Sequence, residues 1–275
     1  MKYTAQSAKY VVKNLIYLLP FAIIPALFLS VSTDEEAIIN VLKAVYHGNL
    51  LEWTFGDLFC AISVLNVGSW QGVVFGLFGV IVIVPCMALM MAILEKHFRI
   101  GKRTFNGIWN KINDNFLSTL GYVLLLLAIY EVWSLLLSAL LFFFSRITVA
   151  VLAYILAGLV YLAMHVLLLF AVSSIYLWLP CMQITGFAAF EALHYSYQLV
   201  TPVKWLMVCG QMLALLGVEF LLAICAAFIP TSAAFLIWTT LVYTCMIMVF
   251  CVRMQIAYFD RDNMERADLI RYYQK

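Results

Sequence analysis

Long uninterrupted apolar runs dominate the hydrophobic pattern of this chain. The run from Tyr122 to Phe144 is apolar on every face of a helix and contains one charged residue, Glu131. The alternation of period two that marks an outer-membrane barrel strand is absent from such runs. Because lipid offers backbone amides no hydrogen-bond partner, and about 20 apolar residues cross a bilayer as a helix, the pattern predicts membrane-spanning helices.

Six runs are long enough to cross a membrane. We therefore predict an all-α polytopic membrane protein with one transmembrane helical domain, residues 1–257, and a cytoplasmic tail, residues 258–275. The predicted spans are residues 15–32, 72–94, 116–144, 147–179, 203–228 and 233–257. In the second span, Gly72 and Gly76 have the small-xxx-small spacing that lets helices approach closely.

Shorter amphipathic stretches lie between the spans and predict interfacial helices. On the outer side, Thr33 and Glu36 have the spacing of a capping box at the start of a helix. On the inner side, the stretches 104–115 and 185–199 precede the third and fifth spans, as 3–14 precedes the first. This order suggests a threefold repeat of interfacial helix, span and return span, with a central crevice as the natural site. The alternative is that any six-helix protein with amphipathic loops looks periodic.

Composition agrees with the membrane class. Hydrophobic residues make up 66% of the chain and charged residues 11%, whereas about 25% of residues are charged in soluble domains. Mean hydropathy is +1.02. The formal net charge of +2 is too small to indicate a nucleic-acid partner.

Lysine and arginine are distributed unevenly between the two sides of the predicted bundle. With the amino terminus inside, only Lys43 and Arg146 of the 16 basic residues fall in outer segments. Cytoplasmic loops carry the excess of basic residues in membrane proteins. We therefore expect both termini in the cytoplasm.

Three ionisable residues lie inside predicted spans: Glu131, His165 and Glu219. Such groups cost about 2.5–3.5 kcal/mol on insertion scales, so each is a candidate for function. Counted from the outer hairpin at 1.5 Å per residue, Glu131 and His165 differ by roughly 6 Å in depth, which predicts a pair. Glu219 joins them only if the fifth span lies alongside. Two interpretations are open: a polar crevice that binds an ion, proton or lipid headgroup, or interhelical hydrogen bonds that hold the bundle together.

A basic inner loop follows the second span. Its side chains suit anionic lipid headgroups, at about 1 kcal/mol per charge near the surface. The alternative is that they only set topology. The candidate lipid contacts are Lys96, Arg99, Lys102 and Arg103.

Motifs for catalysis or energy coupling are missing from the sequence. The four histidines lack HExxH spacing, and neither GxSxG nor GxxxxGK occurs. We therefore expect no cofactor and no metal, and an enzyme is the least favoured class.

The carboxyl end carries Tyr258-Phe259-Asp260, then Glu265, then Asp268-Leu269. This ending resembles that of bacterial six-helix membrane proteins similar to the membrane domain of glycerophosphodiester phosphodiesterases. It departs from their pattern where Arg266 and Ala267 replace a glycine and where one position is missing before Glu265. The resemblance implies a six-helix architecture in the bacterial inner membrane and no activity. The alternative is that these charged residues pair along a solvated helix.

Two functions remain from these observations. The first is a membrane protein that binds or transports a lipid-like or amphipathic solute. The second is a non-catalytic scaffold or accessory subunit, with a protein partner or a second copy of the chain. Membrane lipids are the expected partner in both cases. An open cavity that reaches the buried acids favours the first function, and a sealed bundle with an exposed apolar flank favours the second.

Overall fold

A computed structural model of the chain describes residues 2–103, 105–229 and 231–269. Helices make up the regular secondary structure of these residues, as the apolar runs predict. The helices are α1 (Lys2–Lys13), α2 (Leu15–Ser32), α3 (Glu35–Tyr46), α4 (Phe55–Ile62), α5 (Trp70–Ile100), α6 (Ile108–Ser145), α7 (Ala150–Ser174), α8 (Trp178–Pro180), α9 (Ala189–Val200), α10 (Lys204–Phe228) and α11 (Ser232–Arg261).

Six of the helices, α2, α5, α6, α7, α10 and α11, provide stretches long and apolar enough to cross a membrane. The predicted number of spans is thereby confirmed. Helices α5 and α6 have 31 and 38 residues, well beyond the roughly 20 that cross the hydrocarbon layer, so both extend past it. Local sequence sets the ends of α5, because the Ser69 hydroxyl accepts from the Gly72 amide and Gly101 adopts the left-handed conformation at φ 72°.

The six spans form a closed ring. Each packs against the next along the chain, and α11 closes the ring on α2 while also touching α5. The most apolar windows of α5 and α11 are 56% and 50% buried, against 22% and 17% for the spans that contain α7 and α10. This unequal burial makes the bundle asymmetric, with α5 and α11 as its most buried spans.

The outer segment between α2 and α5 contains the predicted amphipathic helix, α3. Its cap differs from the prediction, because the Asp34 carboxylate accepts from the Ala37 amide at 2.9 Å. The Thr33 hydroxyl instead donates back to the Leu29 carbonyl at 3.0 Å. Farther along, Arg146 donates to the carbonyls of Leu51 and Trp53, which ties the outer hairpin of α6 and α7 to this segment.

The inner stretches differ from the prediction in one place. Helix α9 is joined to α10 by a 3-10 turn, residues 201–203, and that it lies along the membrane interface stays a prediction. The stretch 104–115 is not a separate helix, because α6 begins at Ile108 and continues unbroken to Ser145. Thr104 lies outside the described residues. No helix-breaking residue separates Ile108 from the apolar run, so this part extends the third span.

The carboxyl-terminal segment packs against the bundle. Helix α11 continues to Arg261, past the predicted start of the tail, and Tyr258 and Phe259 are fully buried. After a turn, residues 267–269 form a 3-10 helix that packs on α5. The alternative prediction, that the tail is one solvated helix, is therefore wrong for the residues described up to Leu269, because the chain turns after α11 and folds back onto α5. Arg271 lies outside the described residues.

Candidate functional site

His165 and Glu219 form an ion pair between α7 and α10. His165 Nε2 lies 2.8 Å from Glu219 Oε1. Tyr161, one helical turn before His165, donates its hydroxyl hydrogen to Glu219 Oε2. Residues four apart share a face of a helix, so α7 presents Tyr161 and His165 together to the carboxylate of α10.

The hydrogen bonds of His165 define a shared proton. His165 Nδ1 lies 2.8 Å from the Tyr161 carbonyl oxygen, which only accepts, so Nδ1 carries a hydrogen. The bond between Nε2 and Glu219 then needs one more proton, carried by either the imidazole or the carboxyl group. The pair can therefore hold a proton at membrane depth and is electrically neutral with that proton bound.

The two sides of this pair differ in exposure. The His165 side chain is 0% exposed, whereas the Glu219 side chain is 29% exposed. Trp133 on α6 closes the buried side, with its ring edge-on to the imidazole at a centroid distance of 4.9 Å. Glu219 is therefore the partly exposed member of the pair, with Tyr161 and His165 each bonded to one of its carboxylate oxygens.

Glu131 has a different role from the one expected. Its carboxylate accepts from the Ser63 hydroxyl at 2.7 Å and from the amides of Val64 and Leu65 at 3.0 and 3.3 Å. The predicted pair of Glu131 and His165 is thus wrong, because His165 faces α10 while Glu131 faces the outer segment. Glu131 secures the chain after α4.

Two tyrosines that sequence analysis did not single out lie beside the acids. Tyr161 donates its hydroxyl hydrogen to Glu219, and Tyr130, the residue before Glu131, donates its hydroxyl hydrogen to the Ile62 carbonyl at 2.9 Å. Only Tyr161 had a usable signal in the sequence, its position four residues before His165.

The basic loop does not form a single cluster of free charges. Lys96 donates to the Asn106 carbonyl, and Arg99 Nε lies 3.3 Å from Glu95 Oε1. Lys102 and Arg103 are exposed, and the Arg103 guanidinium lies 5.4 Å from the centre of the Tyr17 ring. Two of the four predicted contacts therefore hold the loop together, and two are available to an anionic surface.

Two cavities lie at the surface of the described residues, and neither of them is lined by the buried acids. One, of about 40 Å³, lies by the outer hairpin against Leu50 and Tyr154. The other, of about 420 Å³, is an open notch between the inner end of α7 and α9, against Ile175 and His194. Within the residues that the structure describes, no group of three or more histidine, cysteine or acidic side chains is placed to hold a metal ion.

The residues of the carboxyl-terminal motif have structural partners. Asp260 accepts from the Tyr3 hydroxyl at 2.6 Å, and Phe259 packs edge-on against Phe98. Asp268 pairs with Arg266 at 2.8 Å. These contacts join the carboxyl-terminal segment to α1 and α5. No protein-family model, no curated protein and no solved structure matches the chain.

Proposed function

We propose that this membrane protein binds a lipid-like or amphipathic solute at the open side of the Glu219–His165 pair. The observation that carries the proposal is the 29% exposure of the Glu219 side chain at membrane depth. An ionisable group exposed to hydrocarbon is costly, so a polar group is expected to cover it. The solute's donor hydrogen, from a hydroxyl or an amine, bonds to the carboxylate while its apolar part lies along α7 and α10.

The location of the pair supports this proposal. Helices α7 and α10 belong to the two least buried spans, so a solute dissolved in the bilayer can reach Glu219 from the side. If the solute is also transported, a gradient or another chain supplies the energy.

The distribution of basic residues supports the proposed setting, a bacterial inner membrane with both termini in the cytoplasm. Lys102 and Arg103 would then face the anionic inner leaflet. A cysteine replacing Lys43 should react with an impermeant thiol reagent in intact cells, and one replacing Lys102 only after lysis. The reverse labelling pattern would overturn the orientation.

Native mass spectrometry of the protein released gently from membranes tests the function. Wild type should retain a small bound molecule, and Glu219→Gln and His165→Ala should lose it. Glu131→Gln is the matched control, because it also neutralises a carboxylate in a span but one bonded to the outer segment. We expect this control to keep the ligand.

The rival function is an accessory subunit. The large exposed apolar surface of α7 and α10 favours it, and so does the finding that neither described cavity is lined by the buried acids. A partner protein retained by wild type and all three variants, with no small molecule in any sample, would reject the binding proposal in favour of this one. Loss of the ligand in Glu131→Gln as well would show that the ligand follows overall stability instead of Glu219.

A further inference from the structure

Arg253 is a buried cation at the inner end of α11. It is 4% exposed. One guanidinium nitrogen, Nη2, donates to the Met207 carbonyl at 3.1 Å, whereas Nε is buried without a hydrogen-bond partner. Among the residues that the structure describes, no carboxylate forms an ion pair with Arg253. A buried charge without a counter-charge is strongly destabilising, so an anion is expected to compensate it.

One further unpaired polar group lies near the guanidinium. Gly210 on α10 has no side chain, and both Arg253 Nη2 and the Thr4 hydroxyl oxygen lie within 3.4 Å of the position its Cβ would take. That hydroxyl, on α1, is buried without a partner.

These groups have the chemistry of an anion site. An arginine Nε is a donor only, and a threonine hydroxyl donates as readily as it accepts. Arginine presents its donors in a planar fork that matches the oxygens of phosphate. Acidic side chains, which would repel an anion, are not among the contacts of Arg253 in the described parts of the chain.

The depth of Arg253 indicates which anion is near. Arg253 is 21 residues after the first residue of α11, Ser232, which is about 30 Å along the helix axis. The hydrocarbon core is also about 30 Å thick, so Arg253 lies at the level of the inner headgroups. Phosphate groups are the anions concentrated at that level.

We infer that Arg253 and Thr4, on either side of Gly210, form a binding site for a phosphate-type oxyanion between α1, α10 and α11. The site is separate from the Glu219–His165 pair and does not depend on the function proposed for it. The oxyanion comes either from a phospholipid headgroup or from free phosphate.

Thermal unfolding of the full chain in a neutral detergent tests this site. Wild type is compared with Arg253→Met and with the control Arg261→Met. Arg261, two turns farther along α11, also donates to a carbonyl, that of Leu199. One arm titrates inorganic phosphate against sodium chloride of equal ionic strength. The other titrates phosphatidylglycerol against phosphatidylcholine in mixed micelles.

Phosphate or phosphatidylglycerol should stabilise wild type and Arg261→Met, and the affinity of Arg253→Met should be at least tenfold lower. A response to inorganic phosphate identifies a free oxyanion, and a response to phosphatidylglycerol alone identifies the headgroup. Each of these results supports the site. No response from wild type in either arm would overturn it, and so would an equal response from Arg253→Met.

A second variant covers the case in which Arg253→Met does not fold. Arg253→Lys keeps the charge and most of the packing but removes the planar fork, so its affinity should also fall about tenfold. Binding by Arg253→Lys as tight as that of wild type would show that the arrangement of donors does not matter and would reject the site.

Discussion

At the scale of single residues, Glu131 illustrates how a carboxylate in a span can serve structure. Three of its acceptor contacts reach a hydroxyl and two successive amides just after α4. The chain must turn there from α4 toward α5, which leaves those amides outside any helix. A buried amide without a partner is costly, so the carboxylate stabilises the turn.

We predict that Glu131→Gln loosens the outer segment. Glutamine offers one acceptor oxygen where glutamate offers two, and its NH₂ group would face the hydroxyl and amide donors that Glu131 accepts from. About 2 kcal/mol of stability should therefore be lost. Thermal unfolding measures the loss, and faster protease cleavage between Ser63 and Ser69 locates it. Glu52→Gln is the control, because the Glu52 side chain is 51% exposed and should change stability little. Wild-type stability in Glu131→Gln would contradict the structural role.

At the scale of elements, the contact between α2 and α5 depends on glycine. A Cβ at Gly76 would lie 2.8 Å from the Ser32 hydroxyl oxygen and 2.9 Å from the Val64 carbonyl oxygen. The second of these is backbone, which cannot move aside cheaply. The spacing of Gly72 and Gly76 predicts this close approach, and the structure identifies α2 and the outer segment as the neighbours.

Gly76→Ala should therefore destabilise the protein by about 1–3 kcal/mol through overpacking. Gly158 on α7 is the matched control, since a Cβ there meets nothing within 4 Å. Alanine favours a helix over glycine, so Gly158→Ala should be neutral or stabilising by up to about 1 kcal/mol. Thermal unfolding of both variants measures the contrast. Equal destabilisation by the two substitutions would refute the packing explanation.

At the scale of the whole molecule, the two ends of the described chain meet at the same end of the bundle. Helix α1 packs along α11, and the Tyr3 hydroxyl donates to Asp260 Oδ2 at 2.6 Å. This contact joins residues 257 positions apart in the sequence. Together with the packing of α11 on α2, it closes the ring of spans.

The hydrogen bond between Tyr3 and Asp260 should stabilise the protein less at high pH. Burial, followed by the hydrogen bond to Asp260, raises the pKa of Tyr3 from 10.0 to about 12. Because the folded state holds this proton more tightly, the stabilisation is complete below pH 10 and is lost as pH rises toward 12.

Comparison of wild type with Tyr3→Phe in thermal unfolding measures this contribution. The difference should be about 1 kcal/mol at pH 8 and should shrink above pH 10. Tyr46→Phe is the control, because Tyr46 is 89% exposed. A difference between wild type and Tyr3→Phe that stays constant to pH 12 would exclude the hydroxyl as its source.

The limits of prediction are clearest for His165 and Arg253. Counting residues gives depth along a helix axis, which correctly placed His165 near other polar groups. Counting does not give rotation about that axis or the neighbour on each side, so the partner of His165 was Glu219 instead of Glu131. Arg253 entered sequence analysis only as one of the basic inner residues, and its burial under α1 follows from packing.

The sequence by itself determined the number of spans and the helical class, and it indicated their orientation. Each of these features depends on the free-energy cost of placing charges and unpaired amides in hydrocarbon. That cost can be summed over the residues of one segment without knowing what the segment packs against. Tertiary structure alone decided which polar groups pair. It also decided that α5 and α11 are the most buried spans and that residues 267–269 fold back onto α5. These features depend on contacts between residues far apart in the sequence, and hydrophobic pattern carries no information about such contacts.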